Sequence, residues 1–354
     1  MKIINKTLIL TLILISAISC KKTGKSETIN GVITMIINQV QTSEGSEWKP
    51  AKLLEKININ KVVRTNINSK SEIVLSDKTK ILLQEKTLFV PLLLTTKNKK
   101  FSFKHGYIFA RVSKQKKGES FIVNTPTAQV GVRGTDFSIT TTDSGERISV
   151  RTGIVNVKYK MPFIKKMLKH KNGTIRALAR QLEKGINIEP FKSVLIEKEK
   201  TKQIQKLADE ILSAKKITEK MMKDFSEITH LELNPVDLKD FTWALEYLNN
   251  NKSVKNGIPV ILDGNNPETI ISVNGKPAAI YKYKKVFPAG EYEFAFKLKQ
   301  FNHSVKKKLK SGQETVTIKA PFPKELPKSK VPTKKMNRNN RGPYEANPDD
   351  RAAN

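Results

Sequence analysis

The chain has 354 residues, enough for two or three separate cores, and 38% hydrophobic residues can fill them. It carries 65 Lys and Arg against 33 Asp and Glu, a net charge of +32, so its surface attracts polyanions: phospholipid or lipopolysaccharide headgroups, teichoic-type polymers or nucleic acid. One cysteine excludes a disulfide framework. Lysine outnumbers arginine and the chain is rich in Asn and Ile, so compositional bias explains the charge as readily as a binding adaptation does.

Lys2 and Lys6 precede an apolar run at residues 7–18, and Ala17-Ile18-Ser19 stands ahead of Cys20. The run falls short of the ~20 residues a spanning helix needs, so residues 1–19 are expected to be an export signal peptide. The step into Cys20 resembles the lipobox of bacterial lipoproteins, with Ala17 where Leu is favoured. That resemblance implies a diacylglyceryl group on the Cys20 sulfur and a further acyl chain, such as palmitate, on its amine. More than one buried chain gives a stable anchor. Residues 20–28 would be the lipidated tether, and the expected location is the cell envelope, the outer membrane first, with its periplasmic or surface face left open.

Residues 29–200 read as a β domain. Short apolar runs, VITMII first, recur every eight to twelve residues between Asn, Ser, Asp and Lys turns. The segments RTNINSKSEIVLSDKTKILL and NTPTAQVGVRGTDFSITTTDSGERISV echo each other, which predicts stacked units of a solenoid or sandwich. Within the second, Thr125, Pro126, Val132, Arg133, Gly134, Thr135, Asp136 and Phe137 form a motif in which Gly131 and Gly134 bracket an arginine. Glycine in a strand pattern predicts a bulge or a close backbone approach, and Pro126 predicts a strand start or edge. Arg133 stands close enough to Asp136 for a charge-assisted pair, or to bind turn carbonyls, and has two readings: a contact for an anionic ligand or a structural clamp that satisfies buried backbone groups of its own chain. The clamp is favoured.

The order of Trp48, VVRTNINSKSEIVLSDKTKILL, TPTAQVGVRGTDF, RISVRTGIVNVKY and LEKGINIEPFKSVLIE resembles the FecR domain, an extracytoplasmic β module named for a regulator of iron uptake. The resemblance departs from the pattern at Lys78, where a turn glycine is common, and at a basic insertion over 158–184. Regulators of the founding type carry an anti-sigma segment and a transmembrane helix; neither is recognised in this sequence, so transmembrane signalling to a sigma factor is not implied. Within the insertion Ile175, Leu178 and Leu182 predict a short amphipathic helix. Lys165, Lys166, Lys169, Lys171, Arg176 and Arg180 are candidate contacts to an anionic surface.

Residues 201–252 predict a helical spacer, with Asn234-Pro235 as cap and first position of a helix bearing Leu238, Phe241, Leu245 and Leu248. Residues 257–320 return to period two, with an Asn274-Gly275 hairpin. VNGK followed by FPAGEYEFAF resembles PEGA-type domains, which implies a small, separate β-sandwich. Residues 321–354, rich in Pro, Lys and Asn, are expected to be a disordered basic tail. The fold class is thus mainly β with a helical spacer.

His105, His170, His230 and His303 are scattered, and no nucleophile, phosphate-loop or dinucleotide motif occurs, so no catalytic, metal or cofactor site is expected. Asp143 and Glu146 read as a solvated turn. The expected function is a non-enzymatic, lipid-anchored envelope protein that binds or scaffolds anionic envelope polymers, lipid headgroups or another envelope protein. The alternative is an extracytoplasmic signal-transducing module related to FecR-type regulators. Export and sparse aromatics argue against specific nucleic-acid binding.

Overall fold

A computed structural model describes residues 26–236, 239–250 and 257–322. The predicted signal peptide, Cys20, most of the tether and the tail from residue 323 lie outside the described residues. The architecture is mainly β. Two large open sheets face each other, with five helices among the described residues and a smaller four-stranded sheet beside them.

The first sheet runs in the order Val316–Lys319, Ile258–Asp263, Lys282–Phe287, Gly31–Ile37, Lys70–Leu75, Lys80–Leu83, the second half of Asn98–Arg111, Asp136–Thr141, Gly145–Thr152, Lys192–Glu197 and Asn234–Pro235. The second sheet contains Trp48–Pro50, Val40–Ser43, Val62–Thr65, Leu88–Leu94, the first half of Asn98–Arg111, Ser120–Asn124, Ala128–Val132, Val155–Tyr159 and Ile186–Ile188. Asn98–Arg111 changes sheets at Gly106, whose φ of +101° suits glycine. A Cβ there would lie 2.6 Å from the Thr87 Cα.

The echo in the sequence is a repeat in space. Val62–Thr65 lies in the second sheet, crosses over, and continues as the hairpin Lys70–Leu75 and Lys80–Leu83 in the first. Ala128–Val132 crosses in the same way into Asp136–Thr141 and Gly145–Thr152. Between the sheets lies one core, with Phe89 stacked on Phe101 at 5.0 Å and Phe101 against Phe121 at 5.1 Å. Trp48, at the edge of the second sheet, lies under the Arg64 guanidinium, 3.8 Å from the ring centroid. Lys78 fills the turn position where a glycine is common and takes a φ of +69°.

Helices α1 (Pro162–Leu168), α2 (Gly173–Lys184), α3 (Lys198–Ser213) and α4 (Glu219–Ile228) turn Phe163, Ile175, Ala208 and Phe225 into that same core. The basic insertion is therefore two helices rather than one, with the Asn172 side chain capping α2 by accepting from the Thr174 and Ile175 N–H groups. Asn234–Pro235 does not start a helix. It pairs with Lys192 and Ser193 at the sheet edge, where a residue without an N–H is tolerated, and helix α5 is described from Lys239 to Asn250.

The strands of residues 257–320 divide between the small sheet and the first large sheet. The small sheet of Lys276–Ile280, Ile270–Val273, Gly290–Leu298 and Phe301–Leu309 packs as a sandwich layer, but its companion strands extend the first large sheet. Met35, Ile36 and Ile37 pair with Lys285, Lys284 and Tyr283. Gly31–Ile37 thus lies between two modules and two cores: Ile33 and Ile36 join the first, Met35 and Ile37 the second, across a register shift at Thr34. Burial on both faces explains a continuous apolar run in place of an alternating one. The second core also takes Phe241, Ala244 and Leu248 of α5, and Phe322, two residues into the stretch expected to be a disordered tail.

Candidate functional site

The motif residues separate into distinct tasks. Thr125 is buried, and its hydroxyl accepts from the Ala128 N–H at 2.9 Å and donates to the Glu146 carboxylate. The other Glu146 oxygen accepts from the Thr127 N–H at 3.0 Å, and the Lys160 amine donates to the Thr125 carbonyl at 3.0 Å. Glu146, expected in a solvated turn, is instead a buried carboxylate that holds the turn around the exposed Pro126. Burial raises its pKa against the hydrogen bonds from Thr125 and Thr127 and the charge of Lys160. The signal in the sequence is the Thr-Pro-Thr turn, which needs an acceptor.

Val132 and Phe137 are core residues, Phe137 meeting Phe121 edge to face at 6.5 Å. Gly131 sits in regular register, and a Cβ there would come no closer than 3.8 Å to any atom, so it marks no bulge. Gly134 is the constrained glycine. Its φ is +85°, and a Cβ would lie 2.7 Å from the Lys114 Cα. Thr135 is buried, and its carbonyl accepts from the Val112 N–H at 2.9 Å.

The clamp predicted for Arg133 belongs to Asp136. Arg111 donates to the Asp136 carboxylate through Nε at 3.1 Å and NH2 at 2.9 Å, and the Arg151 NH2 donates at 2.6 Å. The Asp136 N–H is taken by the Thr152 hydroxyl at 3.2 Å. Arg133 itself is exposed in the crossing turn and makes no hydrogen bond or ion pair among the described residues. It lies in the turn between Ala128–Val132 and Asp136–Thr141, outside strand register, while the arginines that reach Asp136 come from neighbouring strands of the sheet.

Of the six cations proposed for an anionic surface, Lys165, Lys166, Lys169, Lys171 and Arg180 are exposed. Arg176 is not free for that role: its NH1 donates to the carbonyls of His170 at 2.8 Å and Lys171 at 2.6 Å, closing the turn between α1 and α2. A cavity of about 140 Å3 opens beside α2 and α4, lined by Tyr159, Leu178, Phe225 and His230 among others. Burial pushes the Tyr159 phenol up to about 12, so it stays protonated.

A second concentration of charge is buried at the seam between the β modules. Glu72, fully inaccessible, accepts from the Thr34 hydroxyl at 2.5 Å and the Tyr247 hydroxyl at 3.5 Å, and the Lys80 amine stands 3.8 Å from its other oxygen. Lys285 is 1% exposed, and its amine has no hydrogen-bond acceptor among the described residues; it lies over the rings of Tyr247 at 4.9 Å and Phe287 at 5.3 Å. Burial brings the Lys285 pKa down to about 7, with Glu72 opposing and Lys80 reinforcing that shift. Burial likewise raises the phenol of Tyr283, whose hydroxyl has no partner among the described residues. Local sequence carries no sign of this cluster, because Glu72 and Lys285 become neighbours only through the shared strand Gly31–Ile37.

Among the described residues no group of His, Cys, Asp and Glu could hold a metal ion, and no helix is long and apolar enough to cross a membrane. The family model described as FecR protein matches residues 61–156, a stretch that runs from the first repeat past the Arg133 turn and through the strand Gly145–Thr152. No curated protein matches the chain. Two crystal structures of a "putative anti-sigma factor" from Parabacteroides distasonis are similar at 18% identity, covering 63% of this chain and 84% of that one, with a TM-score of 0.32. A likeness of that size carries no argument about function.

Proposed function

We propose that this FecR-domain chain is a non-enzymatic, lipid-anchored envelope protein that acts as a FecR-type signal-relay module, passing on the state of another envelope protein by binding it. The match of residues 61–156 to the FecR model is the observation that carries the reading. The domain is tied to the C-terminal β module through the pairing of Met35 with both Glu72 and Lys285, so partner binding on one module is mechanically coupled to the other. Acylation of Cys20 would hold the assembly at a membrane. In-cell crosslinking followed by affinity capture, on wild type and Cys20→Ala, tests this. The expected result is recovery of a specific envelope protein with wild type, with loss of both that partner and the membrane fraction in the variant. An unchanged partner list and an unchanged membrane fraction would sink the anchored reading.

A further inference from the structure

Where the chain joins the sandwich determines which end lies nearest Cys20. The Thr96 N–H donates to the Glu27 carbonyl at 2.8 Å, the Ile29 N–H donates to the Leu94 carbonyl at 3.1 Å, and Thr28 bridges Thr95. The stretch from Cys20 to Ser26, even fully extended at about 3.5 Å per residue, reaches only on the order of 20 Å. An anchor at Cys20 therefore holds this end of the sandwich close to the bilayer.

The same end gathers the crossings that follow strands ending there: residues 112–119, 133–135, 153–154 and 189–191, with the hairpin turn 76–79 beside them. Lys78, Lys114, Lys116, Lys117, Arg133 and Lys192 are exposed on it, and none of these side chains has a hydrogen bond or ion pair among the described residues. The acids of this end are mostly engaged within the protein. Asp77 meets the buried Lys99 at 3.0 Å, Asp136 is held by two arginines, and Glu119 accepts from the Lys116 N–H at 2.9 Å. Glu27 and Glu189 remain exposed.

Two large apolar side chains stand exposed among these cations. Ile154 is 53% exposed, and Phe191 is 57% exposed. They belong to one surface: the Phe191 N–H donates to the Val150 carbonyl at 2.8 Å, and Gly153 abuts the Gly134 carbonyl and Thr135. Phe191 also holds a φ of +60°, unfavourable for a bulky residue, and its ring is turned out of the core. An exposed aromatic, an exposed aliphatic and a ring of unpaired cations match an interface of acyl chains beneath anionic headgroups.

We propose that this end is a membrane-docking face, with Lys78, Lys114, Lys116, Lys117, Arg133 and Lys192 against anionic lipid headgroups and Phe191 and Ile154 entering the interface. The proposal rests on the acylated Cys20 of the functional reading. It assigns no lipid contact to Lys165, Lys166, Lys169 and Lys171, because their insertion leaves the sandwich after Tyr159, beside the turn Thr125–Ala128 at the opposite end. An anchored molecule presents that end to partners.

The protein's single cysteine makes the test direct. Full-length chains bearing Phe191→Cys or, as control, Lys165→Cys are matured in cells, labelled with a polarity-sensitive fluorophore and reconstituted into vesicles of phosphatidylcholine with or without phosphatidylglycerol, containing brominated lipid. The probe at 191 is expected to be quenched at least twofold more than the probe at 165, in vesicles with phosphatidylglycerol. Adding Lys114→Gln, Lys116→Gln and Lys117→Gln, all at exposed positions, should bring it to the control level at an unchanged melting temperature. Equal quenching at the two sites, or none at 191 while Cys20 is acylated, would overturn the docking face, the second result pointing to an acidic protein as its occupant. Reaction of the wild-type thiol with maleimide would instead remove the anchor, and the tether argument with it.

Discussion

The Arg133 end and the Glu72–Lys285 seam are both dense in charge, and they treat it in opposite ways. At the end, six cations face solvent and the buried carboxylate of Asp136 is surrounded by the guanidinium groups of Arg111 and Arg151, which donate to both of its oxygens. At the seam, a carboxylate and an amine are both inaccessible, and atoms of each lack a hydrogen-bond partner among the described residues. Solvated cations cost the fold little and remain available for a ligand. Buried groups left partly unpaired destabilise it, and hold a particular arrangement of modules at that cost.

The largest expected effect comes from Lys285. Its folded pKa is depressed to about 7 from the ordinary 10.5. Between those values the unfolded chain binds a proton that the folded chain does not, so stability falls as pH drops from about 10 to 7 and levels off below. At about 1.4 kcal/mol per pKa unit, the full span is on the order of 5 kcal/mol. Lys285→Met should flatten that part of the profile and raise the urea midpoint at pH 7. A profile of unchanged slope in the variant would mean that the amine is solvated.

Asp136→Ala should destabilise by about 3 kcal/mol in urea unfolding, since it leaves Arg111 and Arg151 without their common acceptor. If the loss is below about 1 kcal/mol, solvent already satisfies those arginines and the contrast between end and seam collapses. Next in size is a pair of glycine variants. Gly134→Ala meets both a positive φ and the Lys114 backbone and should cost about 2 kcal/mol, whereas Gly131→Ala, at ordinary contact distance from Asn156, should stay within about 0.5 kcal/mol of wild type.

Much of the framework can be read from local pattern. The paired segments around residues 64–83 and 124–150 announce a repeat because each crossing and hairpin is specified by residues close in sequence. The run VITMII announces a doubly buried strand, although not the second module that buries it. Asn234-Pro235 misleads because cap chemistry and edge-strand chemistry favour the same residues, and only the pairing with Lys192 and Ser193 separates them. The site is harder still. Asp136 lies nearer in sequence to Arg133 than to Arg111 or Arg151, yet strand register brings the latter two to it. Proximity along the chain points to the wrong arginine.

Arg133 carries the smallest expected stability effect and the sharpest separation of roles. Its side chain is exposed and touches no acceptor among the described residues, so Arg133→Ala should leave the melting temperature within about 1 °C of wild type, as surface changes do. A side chain that the fold does not need is available to something outside it, and its neighbours Lys114 and Phe191 give that something a polyanionic, partly apolar character. A drop of several degrees would restore Arg133 as a clamp within the turn and remove it from the docking face. An unchanged melting temperature together with weaker quenching of a probe at position 191 would show one motif dividing its labour, Asp136 holding the turn closed and Arg133 facing the membrane.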